Sequence, residues 1–132
     1  MSHHVTTVFN QGMSFTATVN NYKVIMDGNQ ETGASPKRLM LAALAGCAGI
    51  DVVSILEKMK VAFSDFSIDT SAALTDEFPK IYKDVKVLYK IKLSVADRPK
   101  MEKAVRLSED KYCGVHAMFN AFAKVETAII YL

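Results

Sequence analysis

A chain of 132 residues with 50% hydrophobic and 23% charged residues has the composition of one compact domain, which excludes disorder and collagen-like structure. Sixteen basic against fourteen acidic residues leave a formal net charge of +2, so neither nucleic acid nor an anionic membrane is an expected partner. Two cysteines are too few for a disulfide framework and Met1 to Gly12 carries no apolar signal core, so the expectation is one domain, residues 1–132, in a reducing cytoplasm.

The first periodic segment alternates Met13, Phe15, Ala17 and Val19 with Ser14, Thr16 and Thr18. Asn20-Asn21 tolerates the positive φ of a tight turn, and Tyr22, Val24 and Met26 then alternate with Lys23 and Asp27, which predicts a β-hairpin. Gly28 to Ala34 is a polar, Gly-bounded loop. Ser35-Pro36 supplies a capping hydroxyl followed by a ring whose fixed φ suits the first helical turn, so a helix is predicted to start there.

From Leu39 to Ile50 every residue is apolar or Gly, and Val52, Val53, Ile55 and Leu56 continue the run to Lys58. A helix with no polar face is a membrane span or is surrounded by protein. The uninterrupted part is shorter than the roughly 20 residues a bilayer needs. The expectation is therefore a central helix buried on all sides, which a monomer of this size achieves with difficulty, so a homodimer is expected. His3 and His4, a pattern that fits a tag remnant, are left out of the chemistry.

Further along, Phe66, Ile68, Thr70, Ala72 and Leu74 share one parity, as do Ile81, Val85, Val87, Tyr89, Ile91, Leu93 and Val95. Lys80, Tyr82, Asp84, Lys86, Lys90 and Lys92 take the opposite parity and read as a solvated sheet face. Arg98-Pro99 opens a helix, a break at Tyr112 to Gly114 precedes a shorter one, and Lys124 to Leu132 forms a last strand. Strands and helices are segregated, so the fold class is α+β.

Chemistry concentrates on the two cysteines. Cys47, flanked by Gly46, Ala48 and Gly49, reads either as a small core hydrophobe or as a thiol lining a pocket. Asp51, four residues on, shares its helical face and needs a polar or cationic partner. Cys113 opens a helix, where the dipole favours thiolate, and His116 follows one turn later as a proton acceptor, a pairing also compatible with a thiol transferase or hydrolase. Together the cysteines form a reversible dithiol couple if the fold brings their Cα atoms within roughly 7 Å. No two ligands are closely spaced, so no metal is expected, and no Gly-rich loop supports a nucleotide; no cofactor is expected.

The run Ser35-Pro36-Lys37-Arg38-Leu39-Met40-Leu41-Ala42-Ala43-Leu44-Ala45-Gly46-Cys47, with a distant second cysteine heading a short helix, resembles the OsmC/Ohr family of osmotically inducible and organic hydroperoxide resistance proteins, and within it the YhfA-like small branch. The resemblance implies an OsmC-like fold of antiparallel sheets wrapped around paired central helices, in an intertwined homodimer with two sites at the subunit interface. It implies that Cys47 attacks the O–O bond of an organic hydroperoxide and becomes a sulfenic acid. Cys113 then resolves it to a disulfide that a dithiol reduces. The peroxidase members carry a Glu after the helix-opening Pro, where this chain has Lys37, and an Arg in the amino-terminal strands, whereas the first Arg here is Arg38. A cation must then come from Lys37, Arg38, Lys23 or His116, with Arg38 about 13 Å from Cys47 along the helix at 1.5 Å per residue. The rival reading is a binding module of the same fold that holds a small hydrophobic ligand without peroxidase activity.

Overall fold

The computed structural model describes all of Met1–Leu132, as two compact units, Met1–Met40 and Leu41–Leu132. The first unit is a three-stranded antiparallel meander of β1 (Thr6–Gln11), β2 (Ser14–Val19) and β3 (Tyr22–Asp27). The β2–β3 hairpin forms where the alternation placed it, with Val19 opposite Tyr22 and Asn20 at φ 56° in the turn. Strand β1 was not legible, because Thr6–Gln11 holds only Val8 and Phe9 as apolar residues and shows no alternation. The loop after β3 is organised by Asp27, whose carboxylate accepts from the Asn29 amide at 2.8 Å and from the Thr32 hydroxyl at 2.8 Å. Those donors, the Asn29 amide foremost, hold its carboxyl below the ordinary carboxylate range. A Cβ on Gly33 would lie 2.4 Å from the Ile25 carbonyl oxygen, so this loop closes only with glycine.

Helix α1 (Pro36–Lys58) starts at the proline as expected. The Ser35 hydroxyl, however, accepts from the Arg38 guanidinium at 3.2 Å, and it is the Ser35 carbonyl that takes the first helical bond, from Leu39. The helix ends with Lys60 at φ 57° and the paired bonds Lys60 N–H to Glu57 and Val61 N–H to Leu56, a Schellman closure in which lysine occupies the usual glycine position.

In the second unit, α1 lies on a three-stranded sheet ordered β4 (Phe63–Leu74), β5 (Tyr82–Leu93) and β6 (Lys124–Tyr131). Only one stripe of the helix is covered: Leu44, Ala48, Val52 and Leu56, each at most 1% exposed, pack with Val85, Val87, Tyr89 and Ile91 of β5. Ala42, Ala43 and Gly46 are exposed and Ile50 is 72% exposed, which corrects the expectation of a helix buried on all sides within one chain. The helix is long and apolar enough to cross a membrane by length and composition, yet its packed stripe at four-residue spacing is that of a helix seated on a sheet.

Two further expectations are corrected. The second sheet is mixed, because β6 pairs parallel to β5, Val85 beside Val125 and Tyr89 beside Ile129. The chain leaves β5, runs through two helices and returns in the same direction, as a crossover connection must. The predicted parity of β5 also breaks at its start. An irregularity between Ala73 and Leu74 pairs Leu74 with Tyr82, so Tyr82 turns inward at 7% exposure while Ile81 is left outside at 44%. The Lys86 and Lys92 side chains remain on the solvated face.

The crossover contains α2 (Arg98–Leu107), a π turn (Ser108–Tyr112) and α3 (Gly114–Asn120), so the predicted break at Tyr112 to Gly114 lies where the π turn ends and α3 begins. We expect Leu44→Ala to lower the unfolding free energy by about 3 kcal/mol, the usual cost of emptying a fully buried leucine site. A urea titration showing a loss below about 1 kcal/mol would place that stripe elsewhere.

Candidate functional site

The covered stripe of α1 sets the helix's rotation. Cys47 and Asp51 each precede a stripe residue by one position and so project about 100° to its side, toward the α2–α3 connection. There the π turn closes with the Cys113 amide donating to the Ser108 carbonyl at 2.8 Å, a five-residue return that delivers Cys113 to the head of α3. The Cys47 Sγ, the Cys113 Sγ and a carboxylate oxygen of Asp51 all lie within 4.8 Å of one another. Both thiols are free.

The surrounding bonds hold the three groups in place. Ser108, fully buried, donates its hydroxyl to Asp51 Oδ2 at 3.0 Å, which answers the question of what partners a carboxylate in an apolar helix. The His116 amide donates to Cys113 Sγ at 3.3 Å, the cysteine serving as the N-cap of α3. The imidazole of His116 turns instead to Asn120, with Nδ1 at 3.1 Å from its carboxamide nitrogen, while Nε2 is buried without a partner. The predicted Cys113–His116 pair is therefore made through the backbone: at three residues past a cap, the amide meets the cap atom and the side chain leaves in another direction.

Burial pushes the Cys113 thiol up to about 11, and its hydrogen bond with Cys47 acts in the same sense. At neutral pH Cys113 is thus a protonated thiol beside Cys47. The Tyr89 phenol of β5 is also pushed up, by burial first and then by Glu109, by Cys113 once it is ionised, and by Asp51. Glu109 is itself hydrogen-bonded by the Thr127 hydroxyl of β6. The site is thus acid-rich, and no lysine, arginine or histidine side chain of Leu41–Leu132 hydrogen-bonds to either thiol or to Asp51.

The cationic candidates stand as follows. Arg38 donates to the Gln30 side chain at 2.7 Å and to the Ser35 hydroxyl within its own unit. Lys37 and Lys23 are exposed. Sequence reasoning missed Ser108, Glu109 and Tyr89. Ser108 and Glu109 sit in an unremarkable polar run after α2, and Tyr89 is one of several inward residues of β5, so no local signal marks them. Beside the cluster a groove of about 340 Å³, to which Asp51 contributes, is lined by Ile55, Lys58, Met59, Lys103, Leu107 and Tyr112 among others.

Residues 27–128 match the family described as OsmC-like protein. The chain belongs to the OsmC-like family. Protein YhfA of Escherichia coli K12 is 29% identical over 110 residues, covering 82% of each chain. The OsmC-like protein of Mycoplasma pneumoniae superposes with a TM-score of 0.85 at 12% identity, over 100% of this chain and 98% of that one. The organic hydroperoxide resistance protein OhrB of Bacillus subtilis gives 0.64 at 19% identity, over 98% of both. These structures share the OsmC fold: mixed α+β, two sheets, and a cysteine-bearing central helix in this chain.

A group whose folded value is raised adds stability below its ordinary value and loses it as the pH climbs through the folded one. For Cys113 that window runs from the ordinary 9.0 to about 11, and Tyr89 acts in the same direction above its ordinary 10.0. The urea midpoint is expected to fall between pH 8.5 and 11, and to fall less in Cys113→Ala. Parallel wild-type and variant curves would contradict the burial of this thiol.

Proposed function

We propose that this OsmC-like protein is a cytoplasmic, single-domain thiol redox protein, residues 1–132, in which Cys47 reduces organic hydroperoxides and Cys113 resolves the oxidised product. The observation that supports this most is the approach of the two sulfurs, in residues far apart in the chain, to within 4.8 Å. The Cys47 thiolate attacks one peroxide oxygen; the S–O bond forms as the O–O bond breaks, and the alkoxide leaves as the alcohol after taking a proton. Cys113 then attacks the Cys47 sulfenic acid, the S–S bond forms, and the hydroxyl departs as water with the Cys113 proton. A dithiol returns both residues to the thiol state by exchange.

The roles divide by environment. Cys47 is partly accessible and Cys113 is buried and protonated, which suits the first to attack and the second to wait. Asp51 and Ser108 position the helix face on which Cys47 stands. Arg38 and Lys37 of a second subunit are assigned to the site as sources of positive charge, since the His116 ring turns to Asn120. That the Legionella pneumophila and Bacillus subtilis structural neighbours bear the name organic hydroperoxide resistance protein supports the substrate class.

A homodimer accompanies this reading. The outer face of α1 forms an open apolar concavity of about 470 Å³ with Gly46, Gly49, Ile50, Val53 and Phe66 in its lining. Exposed apolar area of that kind marks an interaction site. A second copy is the occupant assigned to it, and small residues at Gly46 and Gly49 permit close approach.

The second reading, a binding module for a small hydrophobic ligand, is favoured by one observation: within Leu41–Leu132 no cationic side chain is bonded to either thiol, while the neighbouring groove offers Ile55, Met59, Leu107 and Tyr112.

Stopped-flow consumption of cumene hydroperoxide is expected to fall at least about 100-fold in Cys47→Ser, about 2.7 kcal/mol of barrier. Cys113→Ser is expected to keep the first oxidation and accumulate a sulfenic acid trapped by dimedone. Equal rates for wild type and Cys47→Ser would leave the binding-module reading. Sedimentation velocity should give a dimer for wild type and a monomer for Ile50→Glu; a monomeric wild type would overturn the assembly.

A further inference from the structure

We propose that the reduced Cys47, Cys113 and Asp51 cluster is a binding site for a borderline-soft divalent cation, Zn²⁺ above all, and that metal and disulfide exclude one another there. The proposal does not rest on peroxidase activity; it rests on the donor set and on how that set is held.

Two sulfurs and a carboxylate oxygen within 4.8 Å of one another are already close to a coordination sphere. Zinc takes thiolate sulfur at about 2.3 Å and carboxylate oxygen at about 2.1 Å, which puts tetrahedral neighbours roughly 3.5–3.8 Å apart. The shift needed is on the order of 1 Å, within the reach of side-chain rotation. The mixed sulfur and oxygen set suits zinc over calcium or magnesium, which take oxygen alone.

The outer partners are of the kind that orient metal ligands. Ser108 occupies only Oδ2 of Asp51, leaving Oδ1 for a metal. The His116 amide already donates to Cys113 Sγ, a bond that supports a thiolate without competing for a cation's place. Asp51 has no ion-pair partner, the chain's ion pairs being Lys90–Asp69, Lys100–Asp97 and Lys124–Glu126. No cationic side chain bonds Asp51 or either sulfur, so a cation is the charge this cluster lacks. The groove that Asp51 borders supplies a path for the ion and room for a water in the fourth position; its lysines, Lys58 and Lys103, are exposed.

The binding step balances simply. Two thiols each give a proton to the buffer, two metal–sulfur bonds form, and no electrons move. A disulfide has consumed both thiolates, so the oxidised protein has no site.

Co²⁺ as CoCl₂ reports the site directly. The test uses the full chain carrying His3→Ala and His4→Ala, so that the amino-terminal histidine pair does not contribute. Reduced protein is expected to bind one equivalent per chain with thiolate-to-cobalt charge-transfer absorption, to release it to ZnCl₂, and to lose affinity at least about tenfold in Asp51→Asn. The disulfide form should show no such bands. In the unaltered chain, ZnCl₂ should protect both thiols from iodoacetamide, a readout that needs no variant to fold. Absence of charge-transfer bands, bands unchanged in Cys113→Ser, or alkylation unaffected by Zn²⁺ would each overturn the site.

Discussion

The packing of Leu44, Ala48, Val52 and Leu56 against β5 is the contact on which the rest of the second unit depends. Four side chains at four-residue spacing give the helix one rotational setting on the sheet, because any other setting would lift fully buried methyl groups out of a close-packed layer. With that setting, positions 47 and 51 face sideways. A turn of 100° either way would send Cys47 into the sheet or into solvent. The chemistry of the site is thus a by-product of hydrophobic registry, and the thiol's direction is no more adjustable than the stripe.

The other half of the site depends on a local irregularity. An α-helical continuation from α2 would carry Cys113 past the cluster; the π turn adds a residue to the return and lets Ser108 and Cys113 approach α1 from the same side. Ser108 satisfies Asp51, and the amide of His116 satisfies Cys113. The result is a site rich in protons and poor in positive charge. Such a pocket keeps the inner thiol neutral.

Strand periodicity was legible as alternation in β2, β3 and most of β5, although only in β5 does the apolar parity meet the core, Phe15, Val19, Tyr22 and Val24 being exposed. It failed at β1, which has too few apolar residues to alternate, and at Tyr82, where a single irregular pairing opposite Leu74 reversed the parity. The run of apolar residues in α1 misled in a more instructive way. Uniform hydrophobicity says that every face is eventually covered, but the covering on one side comes from the sheet and on the other is open in the single chain.

The amino-acid sequence by itself determined the elements other than β1 and the π turn, the α+β class, the start of α1 at Pro36, the placement of Cys47 and Asp51 on one helical face, and the family to which the pattern of Pro36, Cys47 and Cys113 belongs. Those depend on short-range periodicity, which is written residue by residue. Tertiary structure alone decided that the two sulfurs meet, that Ser108 partners Asp51, that β6 runs parallel to β5, and that His116 offers its amide to Cys113 while its ring turns away. Each of these joins residues distant in the chain, or depends on a turn geometry with no periodic signature, and contacts of that kind exist only once the core has packed.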